Sequence, residues 1–213
     1  MEVDTAADAE FDAHYVEWKR LIRKAVKNKD PFATFKNTIV ASENNILCLL
    51  EHNKEWTLLS SYATMLSDDD SEWTMDLCRR NMRDLYFKSE WGWEEKDKRN
   101  ELQATTARFL IIRSKETGER IGYTHYRFDF DHGHPVLYCY EIQVEPKFQR
   151  QGAGQWLIEI LAQMAKCFKM QKVMATVFNF NPVSLSFFQK LGFVTDESNE
   201  DGQDYLILKK SVV

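Results

Sequence analysis

Residues 137–154 read LYCYEIQVEPKFQRQGAG. Residues 137–144 form an apolar run of strand character, and a short basic turn with two glycines follows. An amphipathic helix is predicted directly after it. Leu157, Ile160, Leu161, Met164 and Phe168 fall at i, i+3, i+4, i+7 and i+11, one helical face. Backbone N–H groups left unpaired at such a helix start point outward, and the helix dipole adds partial positive charge there. Gly152 and Gly154 are expected to remove side chains that would keep a phosphate away from those groups. The stretch predicts a cradle for a phosphorylated cofactor. Gly154 is followed by Gln155 and Trp156, so the G-x-x-x-x-G-K-[ST] spacing fails. The dinucleotide pattern G-x-G-x-x-G fails too, for want of a third glycine.

The rest of the chain suits a single globular domain with an extension. It has 213 residues, 44% hydrophobic and 29% charged, the balance of a folded soluble protein rather than a disordered one. No apolar run approaches the roughly 18 residues that span a bilayer, so no membrane partner is expected. The acidic start MEVDTAADAEFD has no apolar core of a secretory signal. Cys48, Cys78, Cys139 and Cys167 are scattered without a C-x-x-C pair and read as reduced and intracellular. A net charge of −5 argues against general nucleic-acid binding and leaves room for a basic substrate.

From the N-terminus, residues 9–29 predict a helix with Phe11, Tyr15, Trp18, Ile22 and Val26 in one stripe. Lys19, Arg20, Arg23, Lys24 and Lys27 lie largely off it, either as a face for nucleic acid or ribosome or, the preferred reading, as a solvated face. Residues 30–70 resist assignment beyond a break at Pro31 and an acidic run, Asp68-Asp69-Asp70, that suits a helix N-terminus. A second helix is expected from an N-cap at Ser71, with Met75, Cys78, Met82, Leu85 and Tyr86 on its buried side. Trp91-Gly92-Trp93 reads either as a core plug or as the aromatic wall of a groove. A charged helix over 94–103 and strands over 107–113 and 121–130 come next. His132 and His134 invite a metal reading, but no third ligand stands at a sensible spacing, and a hairpin tip is preferred. No metal site is expected. Residues 172–178 form a strand. Asn181-Pro182 caps a short helix that ends at Gly192, and residues 205–208 close the chain as a strand. This order predicts an α/β domain with a mixed sheet.

With these elements in place, a resemblance can be stated. Gln149-Arg150-Gln151-Gly152-Ala153-Gly154 follows a Q/R-x-x-G-x-G/A pattern. Together with Asn181-x-x-Ser184, Phe187-Phe188 and the element order, it resembles the GCN5-related N-acetyltransferase superfamily. The resemblance implies a mixed, mostly antiparallel sheet flanked by helices, with residues 1–65 as an N-terminal helical extension and 66–213 as the acetyltransferase domain. It implies acetyl-CoA as co-substrate. The backbone of Ile142, Gln143 and Val144 would pair with the pantetheine, and Arg150, Gln151, Gly152, Ala153, Gly154 and Gln155 would cradle the pyrophosphate. Thr176 and Asn181 would border the acetyl end.

Four further motifs narrow it: Tyr86 with Ser89-Glu90-Trp91-Gly92-Trp93, Tyr126-Arg127-Phe128-Asp129, Leu137-Tyr138-Cys139-Tyr140-Glu141, and Lys172-Val173-Met174 before Thr176-Val177-Phe178. They are similar to the N-alpha-acetyltransferase D branch, which acetylates the amino termini of histones 2A and 4. The similarity spans roughly residues 70–210. It implies Glu141 as base with Tyr138 and Tyr140 beside it, a substrate slot of Tyr86, Trp91, Tyr138 and Tyr205, and Asp129 and Asp131 for a cationic tail. Histone tails as partners, a monomer, and residence in cytoplasm and nucleus follow from the same resemblance. Two other readings stay open on this scaffold: a lysine or small-molecule amine acetyltransferase, and a non-catalytic acyl-CoA-binding module. Strand alternation poses a difficulty, because Tyr138, Tyr140 and Glu141 cannot face one pocket in a regular strand. A bulge is expected there.

Overall fold

The computed structural model describes the backbone of residues 5–41 and 55–212 and the side chains of 14–39 and 55–212. Cys48 and the side chain of Phe11 lie outside these described residues. The chain runs α1 (Thr5–Lys27), α2 (Pro31–Ala41), β1 (Trp56–Tyr62), α3 (Asp68–Lys88), α4 (Glu95–Leu102), β2 (Arg108–Ser114), β3 (Arg120–Asp131) and β4 (His134–Val144). It continues with α5 (Ala153–Cys167), β5 (Lys172–Phe178), α6 (Pro182–Lys190), β6 (Val194–Thr195) and β7 (Tyr205–Ser211). Seven strands form one sheet in the order β1-β2-β3-β4-β5-β7-β6, antiparallel except for the β4–β5 pair. The mixed, mostly antiparallel α/β sheet flanked by helices matches the expectation. Among the described residues no helix is long and apolar enough to cross a membrane.

Helices cover both sheet faces, so the central strands are apolar on both sides. Phe109, Leu110, Ile111 and Ile112 of β2 are all fully buried. Leu110 and Ile112 face a core shared with Leu157, Ile160, Leu161 and Met164 of α5. Phe109 and Ile111 face a second core with Met75, Leu77 and Cys78 of α3. At about 25 cal/mol per Å² of apolar surface removed from water, these two cores are the main source of stability. Helix α1 docks by its aromatic stripe: Tyr15 meets Phe130 edge-on at 5.2 Å and Trp18 packs on His134 at 5.0 Å. Its basic residues Lys19, Arg20, Arg23, Lys24 and Lys27 are exposed.

The described residues adjust several boundaries. The sheet begins at Trp56, inside the stretch expected to be a helical extension, because β1 pairs with β2 from Trp56↔Ser114 to Tyr62↔Arg108. Ser67, not Ser71, caps α3: its hydroxyl accepts from the Asp70 N–H at 3.1 Å. Asp68, Asp69 and Asp70 occupy the first turn, where negative charge meets the positive end of the helix dipole. His132 (φ 43°) and Gly133 (φ 84°) form the two-residue hairpin tip between β3 and β4, a left-handed pair that matches the twist of such a hairpin. Asn181 caps α6, accepting from the Ser184 N–H at 3.2 Å, with Pro182 in the first turn.

One buried ion pair sets an acid limit on stability. Asp196 lies on the segment between β6 and β7, with its side chain 1% exposed. It accepts from Lys172 Nζ at 2.6 Å and from the Ser198 N–H and hydroxyl at 3.0 and 2.7 Å. Burial works to raise its pKa, but Lys172 and Ser198 outweigh it and hold the carboxyl at about 2. The depressed value means stability is in place above about pH 4 and is lost as pH falls toward 2. The contribution is about 2 kcal/mol. Denaturant melts from pH 6 to pH 2 should show this loss in the wild type, and Asp196→Asn should flatten it.

Candidate active site

The site grows from a gap in the sheet. Strands β4 and β5 pair only from Val136↔Lys172 to Cys139↔Ala175, and no pairing continues beyond. The Glu145 N–H donates to Ile121 O at 2.8 Å, toward β3. Strand alternation then turns the backbone groups of Ile142 and Val144 the other way, onto the open edge. A cavity of about 630 Å³ lies along this edge, walled by Ile142, Val144, Arg150, Gly154, Asn181 and Phe187 among others. Past β4 the chain makes a short 3₁₀ turn, Pro146–Phe148, and enters α5 through Arg150 (φ 63°) and Gly152 (φ 94°).

Gly152 is the left-handed N-cap of α5, a conformation that disfavours any Cβ. Gly154 has a different reason. A Cβ there would lie 3.2 Å from the Phe187 ring, so glycine lets α6 close onto α5. Neither glycine is explained simply by room for a phosphate. The first helical bond of α5, Trp156 N–H to Gly152 O at 2.9 Å, leaves the earlier N–H groups without intrahelical acceptors. With Arg150 and Lys190 on the cavity wall, this set of donors and cations fits the diphosphate of acetyl-CoA. Ala153 is buried, while the Gln151 and Gln155 amides bond Lys147 O and Glu159 at 2.8 and 2.7 Å.

The large cavity runs into a narrower slot of about 70 Å³, the two sharing Met82, Ile142, Gln143, Asn181, Ser184 and Phe188. Tyr86, Trp91, Tyr140, Glu141, Thr176 and Phe178 line the slot. The expected bulge is present. The register passes from His125↔Glu141 to Tyr126↔Cys139, leaving Tyr140 as the extra residue. The extra residue turns Tyr140 to the face that carries Glu141, where its ring stacks on His125 at 5.1 Å and meets Tyr138 at 5.1 Å. The Tyr140 hydroxyl donates to Asp129 Oδ2 at 3.1 Å, and burial together with the Asp129 charge pushes it up to about 12. Tyr138 shares a 2.5 Å hydroxyl contact with Thr176.

Trp91-Gly92-Trp93 divides its labour. Trp91 is 51% exposed and roofs the slot over Phe178 (5.3 Å) and Tyr205 (4.9 Å). Trp93 packs edge-on to Tyr86 (5.5 Å) and against the α3 core. Asp204 Oδ2 accepts the Glu90 N–H at 2.8 Å, tying the α3–α4 loop to the start of β7. Asp129 stands one hydroxyl away from the slot, and Asp131 accepts from or pairs with His132 at the hairpin tip at 3.2 Å.

Glu141 is 5% exposed, yet both of its oxygens are engaged. Lys98 Nζ donates to Oε1 at 2.9 Å, and Gln143 Nε2 donates to Oε2 at 2.8 Å. Asn81 in turn holds Gln143 Oε1 at 3.0 Å. Burial works against the Lys98 charge, but Glu141, Tyr86 and Glu101 outweigh it and raise its pKa. Burial also raises the Tyr86 phenol and the Glu101 carboxyl, the latter against the pull of Lys98. Lys98, Asn81 and Phe178 were not among the expected site residues. Lys98 sits in EKDKRNEL, a helix so charged that its sequence marks no buried face.

A family model described as Acetyltransferase (GNAT) family matches residues 75–193. Solved structures share the fold at low identity. Arabidopsis thaliana Naa50, in complex with a bisubstrate analogue, is 15% identical, covers 74% of this chain and 99% of its own, and gives a TM-score of 0.53. Spermidine N-acetyltransferase from Vibrio cholerae, in complex with CoA and spermine, is 17% identical over 75% of this chain and 96% of its own, with a TM-score of 0.52. The Escherichia coli ribosomal-protein-S18-alanine N-acetyltransferase is 16% identical over 73% and 94%, with a TM-score of 0.52. The family match covers more than half of the chain and includes the splayed strands, the Gly152 turn and the capped α6. This chain belongs to the GNAT family of acetyltransferases, which act with acetyl-CoA.

Proposed function

We propose that the chain acetylates the free α-amino group of protein N-termini, with the Ser-Gly-Arg-Gly tails of histones 2A and 4 as substrates. The observation that carries this reading is the slot: about 70 Å³, roofed by Trp91 and ending at the buried Glu141, it suits a chain end of small residues. Acetyl-CoA supplies an activated acetyl group, which passes to the amine nitrogen as the carbon–sulfur bond breaks and the CoA thiolate leaves. The amine must be neutral to attack. An α-amine with a pKa near 8 is neutral in about one molecule in ten at pH 7, a lysine in roughly one in a few thousand. A carboxylate is therefore a sufficient base for an α-amine, and Glu141 takes the proton that the new amide sheds. That proton finally offsets the charge of the leaving thiolate. Tyr140 lines the slot beside Glu141, Tyr138 supports it from behind through ring contact and Thr176, and Asp129 and Asp131 favour a guanidinium at the third position of the tail.

A peptide panel tests the reading. Free Ser-Gly-Arg-Gly should be turned over; the same peptide blocked at its N-terminus and extended by a lysine should not, and spermidine should not. Preference for lysine or polyamine would overturn it in favour of the other acetyltransferase reading. Asp129→Ala and Asp131→Ala should each raise KM for the arginine-containing peptide by about 10- to 150-fold, as expected for a lost hydrogen bond to a charged group of about 1.5–3 kcal/mol. Acetyl-CoA affinity should stay unchanged. An equal loss toward an uncharged peptide would remove the acids from substrate recognition.

A further inference from the structure

Lys98 stands on the second turn of α4, 6% exposed, and all three of its ammonium protons are used. They go to Glu141 Oε1 (2.9 Å), the Tyr86 hydroxyl oxygen (2.7 Å) and Glu101 Oε1 (3.0 Å). An ammonium with no proton to spare cannot donate to a substrate. Its contacts lead instead to the base proposed above and to an aromatic wall of the slot. A carboxylate as buried as Glu141 loses its water, and without a cation beside it burial favours the protonated form, which accepts no proton.

We propose that Lys98 is a positioning residue that pairs with the Glu141 carboxylate and fixes it at the end of the slot. The proposal rests on the reading of Glu141 as the base. The geometry is that of a clamp with two jaws: Lys98 fixes one carboxylate oxygen, and the Asn81–Gln143 pair fixes the other. Among the described residues, the titratable groups around the ammonium and its carboxylate fit this assignment, including Tyr123 of β3 and Cys139 of β4, which burial holds neutral beside Glu141. From α3 come Tyr86 and Cys78, both neutral because burial raises them. From α4 comes Glu101, which competes with Glu141 for the same cation. From β3 come His125, kept neutral by burial and by the Arg127 and Lys98 charges, and Arg127, which donates to His125 Nε2 at 3.1 Å and to Glu101 O at 2.8 Å. Among the described residues, Glu141 is therefore the one carboxylate that meets both Lys98 and the slot.

The test is the pH profile of kcat/KM for a free-N-terminal peptide between pH 5 and 9, divided by the fraction of neutral amine so that the remaining acid limb belongs to the enzyme. In Lys98→Met that limb should move up by about one pH unit or more, the shift of a buried carboxylate that has lost an adjacent cation. Acetyl-CoA affinity should be retained. Glu101→Gln, at a side chain one-third exposed, removes the competing carboxylate and should move the limb down. An acid limb unmoved in Lys98→Met overturns the proposal. Should that variant not fold, an unmoved limb in Glu101→Gln overturns it. Wild-type turnover in Glu141→Gln would instead strike down the reading of Glu141 as base, and that outcome separates the two failures.

Discussion

Glu141→Gln should lower kcat by about 10²- to 10⁴-fold, the range set by losing a general base. The carboxamide keeps the size of the side chain and can still accept from Lys98 through its oxygen. It cannot take the proton that leaves the amine. Lys98 keeps Glu101 and Tyr86 as partners at 3.0 and 2.7 Å, so the fold should survive the substitution. Acetyl-CoA binding should be unaffected, because the wide cavity along Ile142 and Val144 does not use the Glu141 carboxylate. Steady-state kinetics with a saturating free-N-terminal peptide, paired with calorimetry of CoA binding, separates the two. A turnover equal to that of the wild type at every pH would take Glu141 out of the chemistry.

Gly122→Ala should be the most damaging single methyl in the sheet. A Cβ on Gly122 would lie 2.7 Å from Gln143 O and 3.2 Å from Val144 Cα and Cγ2. Two of these three neighbours are backbone, so no rotamer change relieves the contact, and β4 itself has to move. Overpacking of this kind costs about 2–3 kcal/mol. For a chain of this length that is a fall in Tm of roughly 4–12 °C. The displaced segment carries the open edge of the cavity and the Gln143 amide that holds Glu141. Weaker CoA binding should therefore accompany the lower Tm. A thermal melt within about 1 °C of the wild type would show that β4 absorbs the methyl group without strain.

The order of elements, the start of α5, the Asn181 cap and the hairpin tip at His132-Gly133 were legible in the sequence. Each is decided by neighbours in the chain: a glycine that tolerates positive φ, a side chain that reaches the N–H three residues on, an apolar period of 3.6. The branch of known proteins that the motifs resemble also located Tyr138, Tyr140 and Glu141 together, although a regular strand would have parted them. Less was legible where two local solutions compete. Ser67 and Ser71 both precede acidic or helical residues, and it is the Ser67 hydroxyl that meets a first-turn N–H, that of Asp70. Strand β1 was hidden because an edge strand is half exposed, with Leu59 at 40%, and its alternation is weak.

The sequence alone determined the family-like framework and the helix mouth at Gly152, because both depend on contacts a few residues apart. Tertiary structure alone decided that Tyr140 is the extra residue of the expected bulge, that Gly154 answers to Phe187, and that Lys98 lies buried against Glu141. Residues 98 and 141 are far apart in the chain and sit on a helix and a strand that only the closed fold brings together. A lysine in a helix of charges is indistinguishable from a solvated one until the sheet closes beneath it and brings the Glu141 carboxylate to its ammonium beside Tyr86 and Glu101.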